Sequence, residues 1–287
     1  SFVTQFMPDK NKFEKIKGDI KTKLKITVDA NEPVEIRRLE IQNNSKQEKI
    51  FEVTSYFEPV LSKKEQDYAH QAFNNLFLVY KYDEIFDSIV VKRRNRERYG
   101  ERLFLVAKMQ TNCEKIGETE FEIDKSKFVG RNNLSIPEAI KNSTPLSRKS
   151  GLTTEGIVAL KNTIKVKPGE KGYVDLIISV EYNRDIAIHN MQKYNVMENV
   201  SREFEIVKAK TEAEARYLEI KGKDIDIYQT ILSYILFDNP IRKNSNLAYK
   251  IYPFTICILQ QQNHQSMVVL LIKYSDLFLC LFCNTCL

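Results

Sequence analysis

Ile20-Lys-Thr-Lys-Leu-Lys-Ile-Thr-Val28 is the stretch whose reading decides the fold. Ile20, Leu24, Ile26 and Val28 alternate with Lys21, Lys23 and Lys25. A period of two sends successive side chains to opposite faces, so the stretch predicts a strand with one dry face and one wet one. Val34-Glu-Ile-Arg-Arg-Leu-Glu-Ile41 repeats the pattern and slips at Arg37-Arg38, where a bulge or a change of face is expected. Asn43-Asn-Ser45 is turn chemistry, and residues 50–57 read as a third strand. Further strands are expected over residues 104–108, 118–123, 157–166 and 173–182. Between the last two, Lys167-Pro-Gly-Glu170 places Pro and then Gly as a type II turn requires. Strands joined by turns without intervening helical periods point to an antiparallel β-sandwich rather than a βαβ sheet.

The pattern changes after Tyr182. Asn183 is a candidate cap for a helix starting near Ile186, and residues 200–217 read as a longer charged helix. Residues 224–237 carry an apolar stripe through Ile225, Tyr228, Ile231, Leu232 and Ile235, and Asn239-Pro240 stops it. Residues 251–287 are of another kind. Lys273 and Asp276 are their only charges, and they hold Cys257, Cys280, Cys283 and Cys286. No helical or strand period runs cleanly through them. The Cys280, Cys283, Cys286 spacing occurs in iron–sulfur proteins, but no fourth Cys followed by Pro accompanies it, and no metal is expected. The organisation predicted is thus a β-domain over residues 1–182, a helical linker over 183–243 and an atypical apolar tail over 244–287.

A chain of 287 residues with 43% hydrophobic and 29% charged residues is long enough to bury a sizeable core. Net charge is +6, with both signs interleaved. The densest basic run, Lys92 to Arg102, is diluted by Glu97 and Glu101, so a nucleic-acid partner is not expected. No stretch reaches the roughly 18 apolar residues of a membrane span. Cys113 is the one cysteine in the first 250 residues, which makes a reducing, cytoplasmic setting the expectation.

Two motifs carry the resemblance to a known family. The first is Phe51-Glu-Val-Thr-Ser-Tyr-Phe-Glu-Pro-Val-Leu61, followed by Asp67-Tyr-Ala-His-Gln-Ala-Phe-Asn-Asn-Leu-Phe77. The second is Phe121-Glu-Ile-Asp-Lys-Ser-Lys-Phe-Val-Gly-Arg131. With Arg93, Arg94, Arg96, Leu146 and Gly151, they resemble glycoside hydrolase family 94, formerly glycosyltransferase family 36. The spacing is most similar to the branch acting on β-1,2-glucans, which includes cyclic β-1,2-glucan synthase and 1,2-β-oligoglucan phosphorylase. Ile123 and Lys125 stand where the family usually has Thr and Arg, and Gln71 stands where it has Pro. Glu155-Gly156 replaces an Asp-Pro pair. These departures bear on specificity more than on fold.

The resemblance implies a galactose-mutarotase-like β-supersandwich followed by linker helices. It also implies a β-glucan oligosaccharide as ligand, an (α/α)6 catalytic domain as partner, a possible homodimer, and inorganic phosphate as co-substrate of the full enzyme. The family's inverting chemistry needs a carboxylic acid that protonates the leaving oxygen. In the family that acid lies in the barrel. Its dozen or so helices cannot be built from the residues after the linker at about 1.5 Å rise each. The expectation is therefore a fragment, N-terminally incomplete, silent in catalysis by itself, with a tail read out of frame or from a truncated gene; the alternatives are a stand-alone carbohydrate-binding module and a purely structural interaction domain. No catalytic residue and no cofactor are assigned. The candidate sugar-binding residues are Tyr56, a ring for stacking, His70, set against Glu58 and Asp67, and Arg131, which pairs either with a ligand or with Asp124 or Glu122.

Overall fold

The computed structural model describes residues 2–62, 67, 69–94, 102–131, 136–222, 224, 227, 267–274 and 277–284. Two antiparallel sheets face each other. The larger is built from β1 (Phe2–Phe6), β2 (Asn11–Lys17), β3 (Ile20–Val28), β4 (Val34–Asn43), β6 (Leu78–Asp83), β7 (Ser88–Arg93), β8 (Phe104–Thr111) and β11 (Lys171–Glu181). Its order is β1-β2-β3-β4-β11-β8-β7-β6. The smaller contains β5 (Lys49–Phe57), β9 (Glu114–Asp124), β10 (Gly156–Val166), β12 (Met267–Tyr274) and β13 (Leu277–Asn284), in the order β13-β12-β5-β10-β9. This is the antiparallel β-sandwich that the alternation predicts, in the supersandwich form that the resemblance implies.

Between the sheets lies the main core. Leu24, Ile26, Leu39 and Ile41 on the larger sheet meet Phe51, Val53, Phe57, Leu160 and Ile164 on the smaller. At about 25 cal/mol per Å2 of apolar surface removed from water, this burial is the chief stabilising term. The turn after β10 is as expected: Gly169 has φ +73° and Glu170 N–H donates to Lys167 O at 3.2 Å. Asn43 is fully buried and closes the 43–47 turn, giving its Nδ2–H2 to Gln47 O (2.8 Å) and Val166 O (3.0 Å).

At Arg37-Arg38 there is no bulge but the expected change of face: the apolar positions pass from Val34 and Ile36 under the helices to Leu39 and Ile41 between the sheets, and β4 keeps continuous register with both β3 and β11. The slip arises because both arginines are buried, on opposite faces. Arg37 points between the sheets, bonded to Glu35 with its guanidinium 5.9 Å from the Phe57 ring centre. The irregularities lie instead in the β9–β10 pairing, at Gly156/Ala159 and Lys161/Thr163. In the tail, Met267–Tyr274 and Leu277–Asn284 form a hairpin, with β12 running antiparallel to β5 (Leu270 opposite Ser55). A hairpin that is apolar at nearly every position shows no period of two, which is why alternation missed it. The strands β1, β2, β6 and β7 were also not anticipated. The helix expected over residues 224–237 falls almost wholly outside the described residues, as do Asn239-Pro240 and Cys286.

The outer face of the larger sheet carries two helices, α4 (Arg184–Gln192) and α5 (Met197–Tyr217). Before them in the chain come three short ones: α1 (Gln71–Asn75), α2 (Lys125–Val129) and α3 (Glu138–Lys141). Asn183 caps α4, accepting from Asp185 N–H at 2.8 Å and Ile186 N–H at 3.4 Å. Ala187, Ile188 and Met191 of α4 and Val200 and Phe204 of α5 cover Val34, Ile36, Val106 and Ile177. Two polar clusters fasten these helices. Arg38 makes a bidentate pair with the fully buried Asp175, both bonds 2.7 Å, and reaches Ser201 Oγ (2.6 Å) and Met197 O (3.0 Å) at the start of α5. Asp29, in the β3–β4 turn, accepts from Lys193 Nζ (2.7 Å), the Tyr194 hydroxyl, and the N–H groups of Asn31 (2.8 Å) and Glu32 (3.1 Å). Lys193 also serves Glu203 at 3.3 Å. Among the described residues no helix is long and apolar enough to cross a membrane.

Arg38→Met leaves the Asp175 carboxylate buried and unpaired, and is expected to cost about 3–5 kcal/mol in urea unfolding. The double variant Arg38→Met/Asp175→Leu should recover much of that loss. A second expectation concerns acid. Burial pushes the Asp29 carboxyl up, but the Lys193 ammonium, the Tyr194 hydroxyl and two backbone N–H groups outweigh it and hold its pKa below the ordinary range. A depressed folded-state pKa contributes stability above the unfolded value of about 3.9 and loses it as pH falls through the folded pKa. Asp29→Asn should therefore lower stability at neutral pH and flatten the acid limb below about pH 4 in a stability–pH series.

Candidate functional site

Two long connections leave and re-enter the sheets at one end of the sandwich. Residues 58–77 join β5 to β6, and residues 125–155 join β9 to β10. The register places these ends together: Phe57 lies opposite Val158, and Asp124 opposite Gly156. Tyr80 and Gly151 exchange backbone bonds of 2.9 and 2.8 Å, which ties the second connection to β6. The loop parts of the two motifs therefore lie at this end as a cap, while Phe51, Val53, Phe57, Phe121 and Ile123 of the same motifs belong to the main core.

The Thr54-Ser55-Tyr56 segment is the inner part of that cap. The expectation that Tyr56 stacks on a sugar is corrected. Tyr56 is fully buried, its ring stacked on Phe128 with centres 5.3 Å apart and planes 19° apart. Ile140, Leu146, Ile157 and Ala159 complete this small core on the outer face of the smaller sheet. Phe57, on the other face of β5, is buried in the main core. Strand alternation places one of this aromatic pair in the main core; the 125–150 segment then covers the other. The Tyr56 hydroxyl donates to Glu58 Oε1 at 2.6 Å, and Lys125 Nζ approaches the same oxygen at 2.8 Å. Burial first, and then the Glu58 carboxylate, push the Tyr56 hydroxyl far above the normal tyrosine range, so it stays protonated as a donor.

Tyr80 adjoins this cluster. Burial, reinforced by the Glu58 charge, raises its hydroxyl too. Among the described residues that buried oxygen has no hydrogen-bond partner. It leaves no room at residue 156, where a Cβ would come within 2.1 Å of it. The Glu155-Gly156 departure noted in the sequence is therefore a packing requirement here.

The outer part of the cap holds the other two candidates. His70 is exposed, immediately precedes α1, and its side chain makes no cap bond; its carbonyl accepts from Asn74 N–H at 3.0 Å. Arg93, the last residue of β7, donates to Asn74 Oδ1 at 2.8 Å and lies 5.4 Å from the Phe77 ring centre. Arg94 donates to Leu76 O at 2.9 Å, while Arg96 lies outside the described residues. Asp67 is raised by burial, with the Arg93 charge opposing the shift.

Arg131 is exposed, and the pairing expected with Asp124 or Glu122 is corrected. Asp124 caps α2 through Ser126 N–H (3.0 Å) and meets Lys127 at 3.6 Å. Glu122 accepts from the N–H groups of Ile123 (3.0 Å), Asp124 (3.1 Å) and Ser147 (3.3 Å). Arg131 is placed by its backbone: Gly130 ends α2 at φ +64°, and Arg131 N–H donates to Glu138 Oε2 at 3.4 Å. A Cβ at residue 130 would run into Glu138, so Gly is needed on two counts.

Among the described residues no hydrogen bond or ion pair joins Tyr56, His70 and Arg131, and no group of three His, Cys, Asp or Glu is arranged to hold a metal. Sequence reasoning missed the Glu58–Lys125 pair. The one signal for it is the i, i+2 spacing of Tyr56 and Glu58, which in extended chain puts both on one side at the end of β5.

An antiparallel supersandwich capped by these motifs defines a domain of sugar-processing enzymes. Residues 1–197 match the model for the glycosyl hydrolase 94 supersandwich domain, and the chain belongs to that family. A curated relative, the cyclic beta-(1,2)-glucan synthase NdvB of Rhizobium meliloti (strain 1021), is 27% identical over 237 residues. The match covers 82% of this chain and 8% of that protein. Among solved structures, a putative kojibiose phosphorylase from the human microbiome superposes with a TM-score of 0.36 at 12% identity, covering 69% of this chain and 23% of the other. A polysaccharide lyase gives 0.34 at 16% identity, covering 63% and 23%.

Gly156→Ala should destabilise the protein by about 1–3 kcal/mol, because the Tyr80 ring must move. Tyr80→Phe alone should be neutral or stabilising, since it removes a buried hydroxyl without a partner among the described residues. Combined, the two should recover part of the Gly156→Ala loss, read as melting temperatures.

Proposed function

We propose that this chain is the non-catalytic, carbohydrate-binding and structural portion of a β-glucan phosphorylase or transglycosylase. The observation that carries the reading is that the loop parts of the family's motifs lie at one end of the sandwich and that His70 and Arg131 in them are both exposed. In this reading the cap faces the sugar and the (α/α)6 catalytic domain. His70 and Arg131 donate to sugar hydroxyls, and the Tyr56–Glu58–Lys125 cluster holds the loops that present them. The name of the Rhizobium relative supports a β-1,2-linked glucan as the ligand. Phosphate, where used, is a co-substrate of the whole enzyme, and the leaving-group acid belongs to the catalytic domain.

A purely structural role is the second reading. It is favoured by the burial of both Tyr56 and Phe57, which leaves no stacking platform in the first motif. Titration calorimetry with β-1,2-gluco-oligosaccharides separates the two. Weak but saturable binding, reduced about tenfold by His70→Ala/Arg131→Ala, is expected for the first reading. Absence of any heat of binding sinks it in favour of the structural one. A parallel assay of phosphate consumption or release with the same sugars should stay flat, and turnover by this chain would overturn the non-catalytic assignment.

A further inference from the structure

α4 and α5 cover the outer face of the larger sheet over Val34, Ile36, Val106 and Ile177. Across β2, β3, β4 and the start of β11 the same face carries a dense array of charge, in which Lys12, Glu14, Lys21, Lys23 and Lys25 are half-buried, Glu40 is buried and Lys171 is exposed. Register sets Lys12, Lys25 and Arg38 abreast in one row, and Glu14, Lys23 and Glu40 in the next. Lys21 and Lys171 flank Gln42 in a third. Glu14 pairs with Lys21 at 2.5 Å and Lys12 at 3.3 Å. Glu40 is approached by Lys171 at 3.5 Å, Lys25 at 3.6 Å and Lys23 at 3.9 Å. Two carboxylates thus serve five ammonium groups, and Arg38 is already neutralised by Asp175. Burial lowers the Lys25 pKa, Glu40 works against that, and the charges of Lys23 and Arg38 add to the lowering, so positive charge is crowded here.

The arrangement discriminates among anions. Along β3 the ammonium groups recur every second residue, at about 6.6–6.8 Å. Nucleic acid, with a charge about every 3.4 Å of each strand, would bring phosphates against Glu14 and Glu40. An anionic bilayer would meet the same carboxylates, and the Tyr173 ring in the Glu40 row is only half-exposed and taken up by the Arg38 guanidinium, 5.1 Å from its centre. A ligand with well-separated anionic groups and many hydroxyls suits it better: the ammonium groups take the anions, and Glu14, Glu40 and Gln42 take the hydroxyls. We infer that this open face binds an acidic oligosaccharide, one whose sugars carry carboxylates. The site is separate from the cap; it rests on the reading of the chain as a sugar-handling domain only for its choice of a glycan.

Calorimetric titration of the full chain with an oligogalacturonate, a neutral β-1,2-gluco-oligosaccharide and inorganic polyphosphate tests it. Oligogalacturonate binding should weaken about tenfold between about 50 and 200 mM salt. Lys23→Gln/Lys25→Gln should weaken it about fivefold or more, and so should the more peripheral Lys12→Gln/Lys21→Gln, with melting temperatures confirming that both variants fold. Neutral glucan affinity should not change in either variant. The inference is overturned if oligogalacturonate does not bind, if both variants bind as tightly as the parent, or if polyphosphate binds equally well. Loss of neutral glucan binding alone counts against the cap reading and leaves this one standing.

Discussion

The structure depends on an ion pair buried where a sheet meets helices. Arg38 and Asp175 stand opposite each other on neighbouring central strands, on the face that α4 and α5 must cover. Neither charge tolerates burial alone, since desolvating one costs several kcal/mol. Paired, and with two further guanidinium N–H groups given to Ser201 and Met197, they fix where α5 begins. The Asp29 cluster does the same from the β3–β4 turn, with Lys193 shared between two buried carboxylates. Apolar contact holds the helices on; these polar contacts decide their position. Replacing such groups by apolar ones of similar size is often tolerated for stability, so specificity of docking is the property to which the pairs contribute most.

The same division of labour holds at the cap. A small apolar core around Tyr56 and Phe128 seals the outer face of the smaller sheet, and a few polar contacts set the loop geometry above it. Gly130 and Gly156 are required for space, in one case beside a carboxylate and in the other beside a phenol. The family's motifs are thus mostly motifs of construction. Of the three residues singled out for sugar contact, Tyr56 belongs to the scaffold, and His70 and Arg131 are the two that solvent reaches.

Much of this was legible in the sequence, and the gaps have physical causes. Strands with one wet face, such as β3, announce themselves by alternation. β7, as Ser-Ile-Val-Val-Lys-Arg, is buried on both faces over most of its length and gives no alternation to read. Arg37-Arg38 misled because two adjacent arginines look like solvent-exposed residues, whereas one pairs within a strand and the other with Asp175, which lies 137 residues away. Partners at that separation cannot be inferred from a local window. The cap's existence followed from the motifs, but the burial of Tyr56 did not, because it takes a covering segment some seventy residues later in the chain to bury it.

The strand order has a consequence for how the chain acquires its shape. β11 is the last strand of the larger sheet in sequence, yet it lies in the middle, between β4 and β8. Until residues 171–181 emerge from the ribosome, β1–β4 and β6–β8 are two half-sheets with open edges at β4 and β8. Their closure must await the most distant pairing in the sheet, which makes for slow, high-contact-order assembly. During that interval the exposed edges are open to any other extended chain, so this domain is most exposed to aggregation just before its keystone strand arrives.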